Sequence, residues 1–467
     1  MSLLLNELKL ALADKVIDGE AVKERYCHIW QMDEPLKAKA VILPRSTSDV
    51  SIALKICHKH DQSVVIHGGL TNLVGSTETS ENDVVISLEK MDVIEEIDEK
   101  SRSMTVQSGA ILENILNAAE EKNLFFPVTF GAKGSAQIGG LIATNAGGMR
   151  VLRYGMTRNQ VLGLEVVLAD GTILSSLKKI IKDNSGYDLK QLFIGSEGTL
   201  GIVTRAVIRL EEAPQSKNSA FVGLDTYEKV VDFLKFIDTG LSGTLSAFEL
   251  LWDRNYMAMT SSSSPLKAPL PYGYKFYVMV ESLGGNQQKD YAALEQLLET
   301  ALGQGIILDG VMAQSNHDFA LFWKIREEVD ILVAQCKHDQ HFDISIPIPL
   351  IGDYVESVFE GLKKIDGVHQ YFAHGHVADG NIHFLLGKNN ESENLTNQIN
   401  ELIYAPLKKI GGSVSAEHGI GVHKKSYLHL SKSVEEIQLM KMIKKTLDPK
   451  NLLNRRKIFD LKTKKLF

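Results

Sequence analysis

Cysteine is scarce in this 467-residue chain: Cys27, Cys57 and Cys336 are odd in number, far apart and form no C-x-x-C pair. A disulfide framework and a thiolate zinc site are therefore not expected, and a reducing cytoplasm is. No run approaches the eighteen or so apolar residues of a membrane-spanning helix. The first thirty residues lack both a cationic start and a long apolar stretch, so no signal peptide is expected. Met1 to Trp30 instead predicts an amphipathic helix with Asp14, Asp18, Glu20 and Glu24 interspersed. No strand leads into G-x-G-x-x-G with an acidic residue about 20 positions later, and there is no G-x-x-x-x-G-K-[ST], so neither a Rossmann nor a P-loop nucleotide site is indicated. Repeats and low-complexity segments are missing too. Net charge is −7 with 23% charged residues, which gives no reason to expect nucleic acid. Basic residues crowd only the C-terminus (Lys444, Lys445, Arg455, Arg456, Lys457, Lys462, Lys464, Lys465). That stretch reads as a solvated tail, with a docking surface for an anionic partner or membrane as the alternative.

What is present is enough apolar residue, 44% of the chain, for two or three cores. Short strands are predicted at Ser63–His67, Asp83–Ser87, Met104–Ser108 and Val161–Ala169. Helices are predicted after a cap at Ser48 or Asp49, with Ile52, Ala53, Ile56 and Cys57 inward, and over Leu112–Lys122. Asp170-Gly171 marks a hairpin. Pro214 and its polar neighbours in 211–218 interrupt the pattern and mark a boundary. Beyond it, strands (Phe221–Leu224, Leu245–Leu251, Lys275–Glu281) alternate with helices (Tyr227–Asp238, Asp290–Leu302), an α+β pattern. The expected segments are 1–38, 39–214, 215–411 and a C-terminal return, 412–467, ending in a helix over Ser433–Leu447.

Glycine gathers in five clusters of the first large segment: His67-Gly68-Gly69-Leu70-Thr71-Asn72 onward to Gly75, Gly131 to Ser135 with Gly134, Gly139-Gly140, Asn145 to Gly148 with Gly147, and Gly195 to Gly201. Glycine lets backbone N–H groups approach a ligand, and successive N–H groups form anion-binding nests. Turns alone explain any one cluster; five in one segment suit a long ligand carrying a pyrophosphate.

The second concentration is His374-Gly375-His376-Val377-Ala378-Asp379-Gly380-Asn381-Ile382-His383. With Asp379-Gly380 as a two-residue turn, His376 falls opposite His383, and His374 is next on that face. Two imidazoles across a hairpin, with a carboxylate from Ser415-Ala416-Glu417-His418-Gly419, suit Zn²⁺ or Mn²⁺ with positions left open. The alternative is a set of satisfied histidines in a polar core.

The strings GAKGSAQIGGLIATNAGG, VLGLEVVLADGT, KDNSGYDLKQLFIGSEGTLGI, GHVADGNIH and SAEHG resemble the vanillyl-alcohol oxidase / p-cresol methylhydroxylase superfamily over about Ala40 to Asn454. The similarity is to its FAD-linked D-2-hydroxy acid dehydrogenase branch. The resemblance implies a two-subdomain FAD-binding domain plus an α+β substrate (cap) domain with an antiparallel sheet. It implies cofactor contacts from residues 67–72, 134–135, 139–140, 145 and 147–148, and from Glu197, Gly201, Ile202 and Asn454. Relatives with a flavin-bearing histidine have it where Leu70 stands, so FAD is expected to be non-covalent, with His67 packing the loop or facing phosphate. It further implies His376, His383 and Glu417 as metal ligands, His418 as the base taking the hydroxyl proton, and Arg326 as clamp of a substrate carboxylate. For Arg326 the alternative is a surface helix pair with a nearby glutamate. Where the 2-hydroxyglutarate enzyme has a threonine, a lysine and an asparagine, this chain has Asp330, His341 and Leu385. A small D-2-hydroxy acid such as D-lactate is therefore expected, with D-2-hydroxyglutarate as the alternative. Of another class is a non-catalytic flavin-binding subunit, which should lack the paired histidines and Glu417-His418; an ether-lipid synthase or a metallohydrolase is a further rival. The resemblance leaves the electron acceptor open among a quinone, an electron-transfer flavoprotein, a cytochrome and oxygen. A homodimer is compatible with it, as is a cytoplasmic enzyme peripheral to a membrane.

Overall fold

The structure, a computed structural model, describes residues 3–29 and 32–461. Met1, Ser2, Trp30, Lys462, Lys464, Lys465 and the Cys27 side chain lie outside the described residues. The chain divides into two compact units: Met1–Gly148, Gly155–Ala213 and Glu417–Phe467 form one, Met149–Tyr154 and Pro214–Ala416 the other.

The first unit is built on two main sheets. In one, Val64–His67, Val84–Ser87 and Ala40–Ile42 run parallel and Val16–Asp18 joins antiparallel at the edge. Its apolar faces close on the helices Leu3–Leu12 and Thr47–Lys59. The other is antiparallel, in the order Ile173–Ser176, Val161–Val167, Ile202–Arg209, Ser103–Gln107, Ile94–Asp98. It packs on Leu112–Glu120 and Ile138–Thr144. The hairpin expected at Asp170-Gly171 is there: Leu168 and Thr172 close a three-residue loop.

Two local expectations are corrected. The N-terminal helix stops at Leu12, because Ala13 turns into left-handed backbone and Val16–Asp18 finds a sheet edge. Leu4, Leu8 and Leu12, spaced four apart, are its buried stripe. The next helix is capped by Ser46, whose hydroxyl accepts from the Asp49 amide, instead of by Ser48 or Asp49. That cap turns Val50, Ala53, Leu54 and Cys57 fully inward and leaves Ile52 and Ile56 half-buried.

The second unit is organised by an antiparallel sheet, seven-stranded among the described residues. Its order is Asp309–Met312, Ser216–Leu224, Phe276–Gly284, Leu245–Trp252, Val368–His376, Asn381–Lys388, Gln340–Ser345. Leu245–Trp252 is buried along its whole length, which explains its nearly unbroken apolar sequence. One face carries Phe221, Leu251, Tyr277, Phe372 and Leu385 against the helices Asp253–Thr260 and Asn316–Glu327. Among the described residues no helix is long and apolar enough to cross a membrane.

Candidate functional site

In the second unit, the strand pairing sets the histidines in rows. Glu249 lies opposite His376; His374 lies opposite His383, which in turn lies opposite Asp343. This corrects the expected register of His376 facing His383. The loop is longer than two residues: Val377–Asp379 form a helical turn closed by Gly380 at φ +85°. The pairing therefore slips by two residues. A slip of two preserves the face, because side chains alternate with period two. All three imidazoles still share one face. His383 stands between His374 and His376, with ring centroids 5.3 and 5.5 Å away.

Two carboxylates that the sequence reading missed organise this face. Glu249 is fully buried; Oε1 lies 2.7 Å from His376 Nδ1 and Oε2 is 2.5 Å from Arg326 Nε. Burial alone would raise its pKa, but His376 and Arg326 outweigh that and hold it below the ordinary carboxylate value. An Arg326 nitrogen also lies 3.3 Å from His376 Nε2. Arginine only donates and an ionised carboxylate only accepts, so the tautomer of His376 is dictated: Nδ1–H donates to Glu249 and Nε2 keeps its lone pair. Asp343, fully buried, accepts from Asn381 Nδ2 at 2.8 Å and from Ser415 Oγ and the Ala416 amide at 3.2 Å. It thus anchors the arm that precedes Glu417 in the chain. Asn255 Nδ2 lies 3.1 Å from His374 Nδ1, and burial, with Arg326 and the other histidines nearby, pushes His374 well below the usual imidazole value. The only sequence signal for Glu249 and Asp343 was a lone acid within an apolar strand, in SAFELLW and FDISIPI.

Of the residues expected to meet substrate, Arg326 is at this site, its side chain 7% exposed. Its glutamate partner is on a strand, not on a surface helix. His341 shares the histidine face one row along, opposite Leu385, with Nε2 2.5 Å from Asp339. Asp330 is not brought to it: the Arg326 helix ends at Glu327, and Asp330 starts a separate helix, exposed. Leu385 is 1% exposed, inside the apolar core.

In the first unit, Val64–His67 runs into the first glycine cluster. A Cβ on Gly69 would stand 2.1 Å from the Ser135 carbonyl oxygen, so the 68–70 and 134–136 backbones approach as only glycine permits. His67 is buried with Nε2 3.0 Å from the Thr77 carbonyl, and burial lowers its pKa to about 4. Leu70 holds left-handed backbone; Thr71 is exposed; Asn72 braces the loop through Ser76 and Thr77. Gly134 and Ser135 are exposed. The Gly139 and Gly140 amides are taken by the Ser108 and Gln137 carbonyls, so an anion there must draw on other donors. Beside them, Ser108 Oγ and Gln137 Oε1 are buried and find no hydrogen-bond partner among the described residues. A Cβ on Gly140 would meet nothing within 4 Å. Unpaired buried polar atoms beside an open glycine fit a polar ligand such as FAD.

Asn145 caps the Ile138–Thr144 helix in left-handed backbone and accepts from the Arg158 amide. Gly147 is buried, and the Gly148 amide donates to Glu417 Oε1 at 2.9 Å. Glu197, buried, accepts from the Ile420 and Gly421 amides at 2.7 and 2.8 Å and from Ser76 Oγ at 3.0 Å. Burial raises its pKa despite those bonds. Its carboxylate therefore holds the irregular loop that follows His418. Asn454 bonds the Ile66 amide and the Glu197 carbonyl, and Ile202 is 1% exposed in the core. Those side chains are spent on the protein itself, as is Gly201, packed on Val166.

Comparison with known proteins agrees with this architecture. Residues 38–176 match the FAD binding domain and 213–458 the C-terminal domain of FAD linked oxidases. A protein of Oryza sativa subsp. indica named as a mitochondrial D-2-hydroxyglutarate dehydrogenase is 40% identical over 92% of this chain and 76% of its own. One of Schizosaccharomyces pombe named as a mitochondrial D-lactate dehydrogenase is 37% identical over 91% and 82%. The D-2-hydroxyglutarate dehydrogenase of Xanthomonas citri pv. viticola is 36% identical over 94% and 92%. The solved structure of p-cresol methylhydroxylase shares the fold at a TM-score of 0.77, with 17% identity over 99% of this chain and 97% of that one. A mixed fold of this type, a matched flavin domain and relatives of this identity and coverage make the chain a member of the FAD-linked 2-hydroxy acid dehydrogenase family.

Proposed function

We propose that this chain oxidises a small D-2-hydroxy acid to the 2-oxo acid, using non-covalent FAD and one divalent ion, zinc or manganese, held by His376, His383 and Glu417. The observation that carries the metal assignment is the anchoring of His376: its Nδ1 is held at 2.7 Å by the buried Glu249 carboxylate, the carboxylate–imidazole pairing that orients metal-ligating histidines. When bound, FAD supplies the hydride acceptor and the ion a Lewis acid.

The chain's own residues do the rest. Arg326 holds the substrate carboxylate through a guanidinium whose orientation Glu249 sets. His418 takes the hydroxyl proton on an imidazole nitrogen, as a general base. Glu197 keeps the loop after it in one shape. The glycine loops around Gly69, Gly134 and Gly140, with the turn at 145–148, line the flavin.

Within this reading the preferred substrate has a short or apolar tail, as D-lactate has. Support comes from the sequence, which carries Asp330, His341 and Leu385 where the 2-hydroxyglutarate enzyme has a threonine, a lysine and an asparagine. D-2-hydroxyglutarate is the second reading, supported by the names of the rice and Xanthomonas relatives and by His341 on the histidine face. A cytoplasmic location belongs to the same reading, although the rice and fission-yeast relatives are named as mitochondrial.

The test is a panel of D- and L-2-hydroxy acids with an artificial dye acceptor, with and without chelator. Activity is expected on D acids alone, lost with chelator and restored by Zn²⁺ or Mn²⁺. A higher kcat/KM for D-2-hydroxyglutarate than for D-lactate overturns the substrate preference, and chelator-insensitive turnover overturns the metal role.

A further inference from the structure

We infer that Glu249 is a positioning residue shared by the metal site and the substrate clamp, so that one buried carboxylate sets both; this rests on the metal reading proposed above. The geometry is two-sided. Oε1 takes the His376 Nδ1–H at 2.7 Å and Oε2 takes the Arg326 Nε–H at 2.5 Å. The strand register puts Glu249 opposite His376, so this contact is built into the sheet. Arg326 reaches the same carboxylate from a helix, and the two side chains are 7% and 0% exposed. Water does not compete at such a site, and each acceptor oxygen has a defined donor.

The pairing has a chemical consequence that only a carboxylate satisfies. A glutamine at 249 has the same shape but one acceptor and one donor end. If its oxygen faces His376, its NH₂ meets the Arg326 Nε–H, donor against donor. If its oxygen faces Arg326, its NH₂ donates to His376 Nδ1, which drives the ring proton to Nε2, the atom assigned to the ion. Either arrangement damages one of the two functions, so E249Q cannot be neutral at both.

The experiment compares purified flavin-loaded wild type and E249Q for Zn²⁺ affinity, by competition with a chromophoric chelator, and for KM of the best D-2-hydroxy acid at saturating Zn²⁺. Flavin absorbance and the thermal midpoint report whether the fold is kept. Wild type is expected to bind one Zn²⁺ per chain. In E249Q, affinity falls on the order of 10–100-fold, or KM rises about as much, while flavin content is retained. Glu249→Asp keeps both acceptor oxygens one methylene further back and shows a smaller loss of the same kind; it serves if E249Q does not fold. Wild type that binds Zn²⁺ while both variants keep wild-type affinity and KM overturns the role of Glu249 and leaves the metal reading intact. Wild type that binds no Zn²⁺ overturns the metal reading and this inference together.

Discussion

His67 ends the strand Val64–His67 and is 3% exposed. A histidine beside two glycines suggests a ligand contact, yet its ring is buried and bonded to the Thr77 carbonyl. Its folded pKa of about 4 lies below the ordinary 6.5. The unfolded chain therefore takes up the proton first as pH falls. The His67 contribution to stability is complete above about 6.5, is lost between 6.5 and 4, and is constant below that. A shift of this size corresponds to roughly 3 kcal/mol. His67→Gln, which keeps a donor for Thr77 without titrating, should flatten the pH dependence of urea unfolding in that window; an unchanged slope would show that the wild-type ring is charged when folded. Cys57 and Cys336 are also legible only in place: burial pushes both thiols up to about 12. Neither should react with iodoacetamide at pH 8 in the folded protein, and rapid labelling would contradict their burial.

Turns and loops carry the next level. The 377–380 loop holds the histidine strands in register, and Gly380 is its left-handed residue. A Cβ there would stand 2.6 Å from the Ile346 carbonyl oxygen. Gly380→Ala should cost about 1–3 kcal/mol in urea unfolding and weaken Zn²⁺ binding, because the row of imidazoles is spaced by this turn. In the first unit Gly69→Ala sets a Cβ against the Ser135 backbone. It should purify with little flavin while the seven-stranded sheet remains folded by circular dichroism; a fully yellow G69A protein would remove the glycine loops from the cofactor site. The histidine hairpin and the glycine loops were recognisable as motifs because their spacing is local. The two-residue slip was not, because Asp379-Gly380 occurs equally at the end of a four-residue loop.

At the scale of the whole molecule, the proposed flavin contacts belong to the first unit and the seven-stranded sheet to the second. A ligand stabilises what binds it by RT ln(1 + [L]/Kd). Removing flavin should therefore raise amide hydrogen exchange in the segments 64–78 and 131–148, while the central strands Phe276–Gly284 and Leu245–Trp252 stay protected. Uniform loss of protection would mean that the cofactor supports both units alike. Net charge, composition and the scarcity of cysteine bear on solvent and redox setting only; they are silent about which residues meet.

The sequence alone determined the class of the protein. The glycine strings, GHVADGNIH and SAEHG are contiguous, and contiguous motifs survive without coordinates because their geometry comes from neighbouring residues. It also determined that three histidines share one face, since an error of two residues in register leaves strand parity intact. Tertiary structure decided the partners. Glu249 is 77 residues from Arg326 and 127 from His376. Glu197 meets Ile420 and Gly421 more than 220 positions away. Each is a lone acid in its own segment. Only the folding of distant strands and loops around it excludes water and turns it into the group that sets a histidine's proton or a loop's shape.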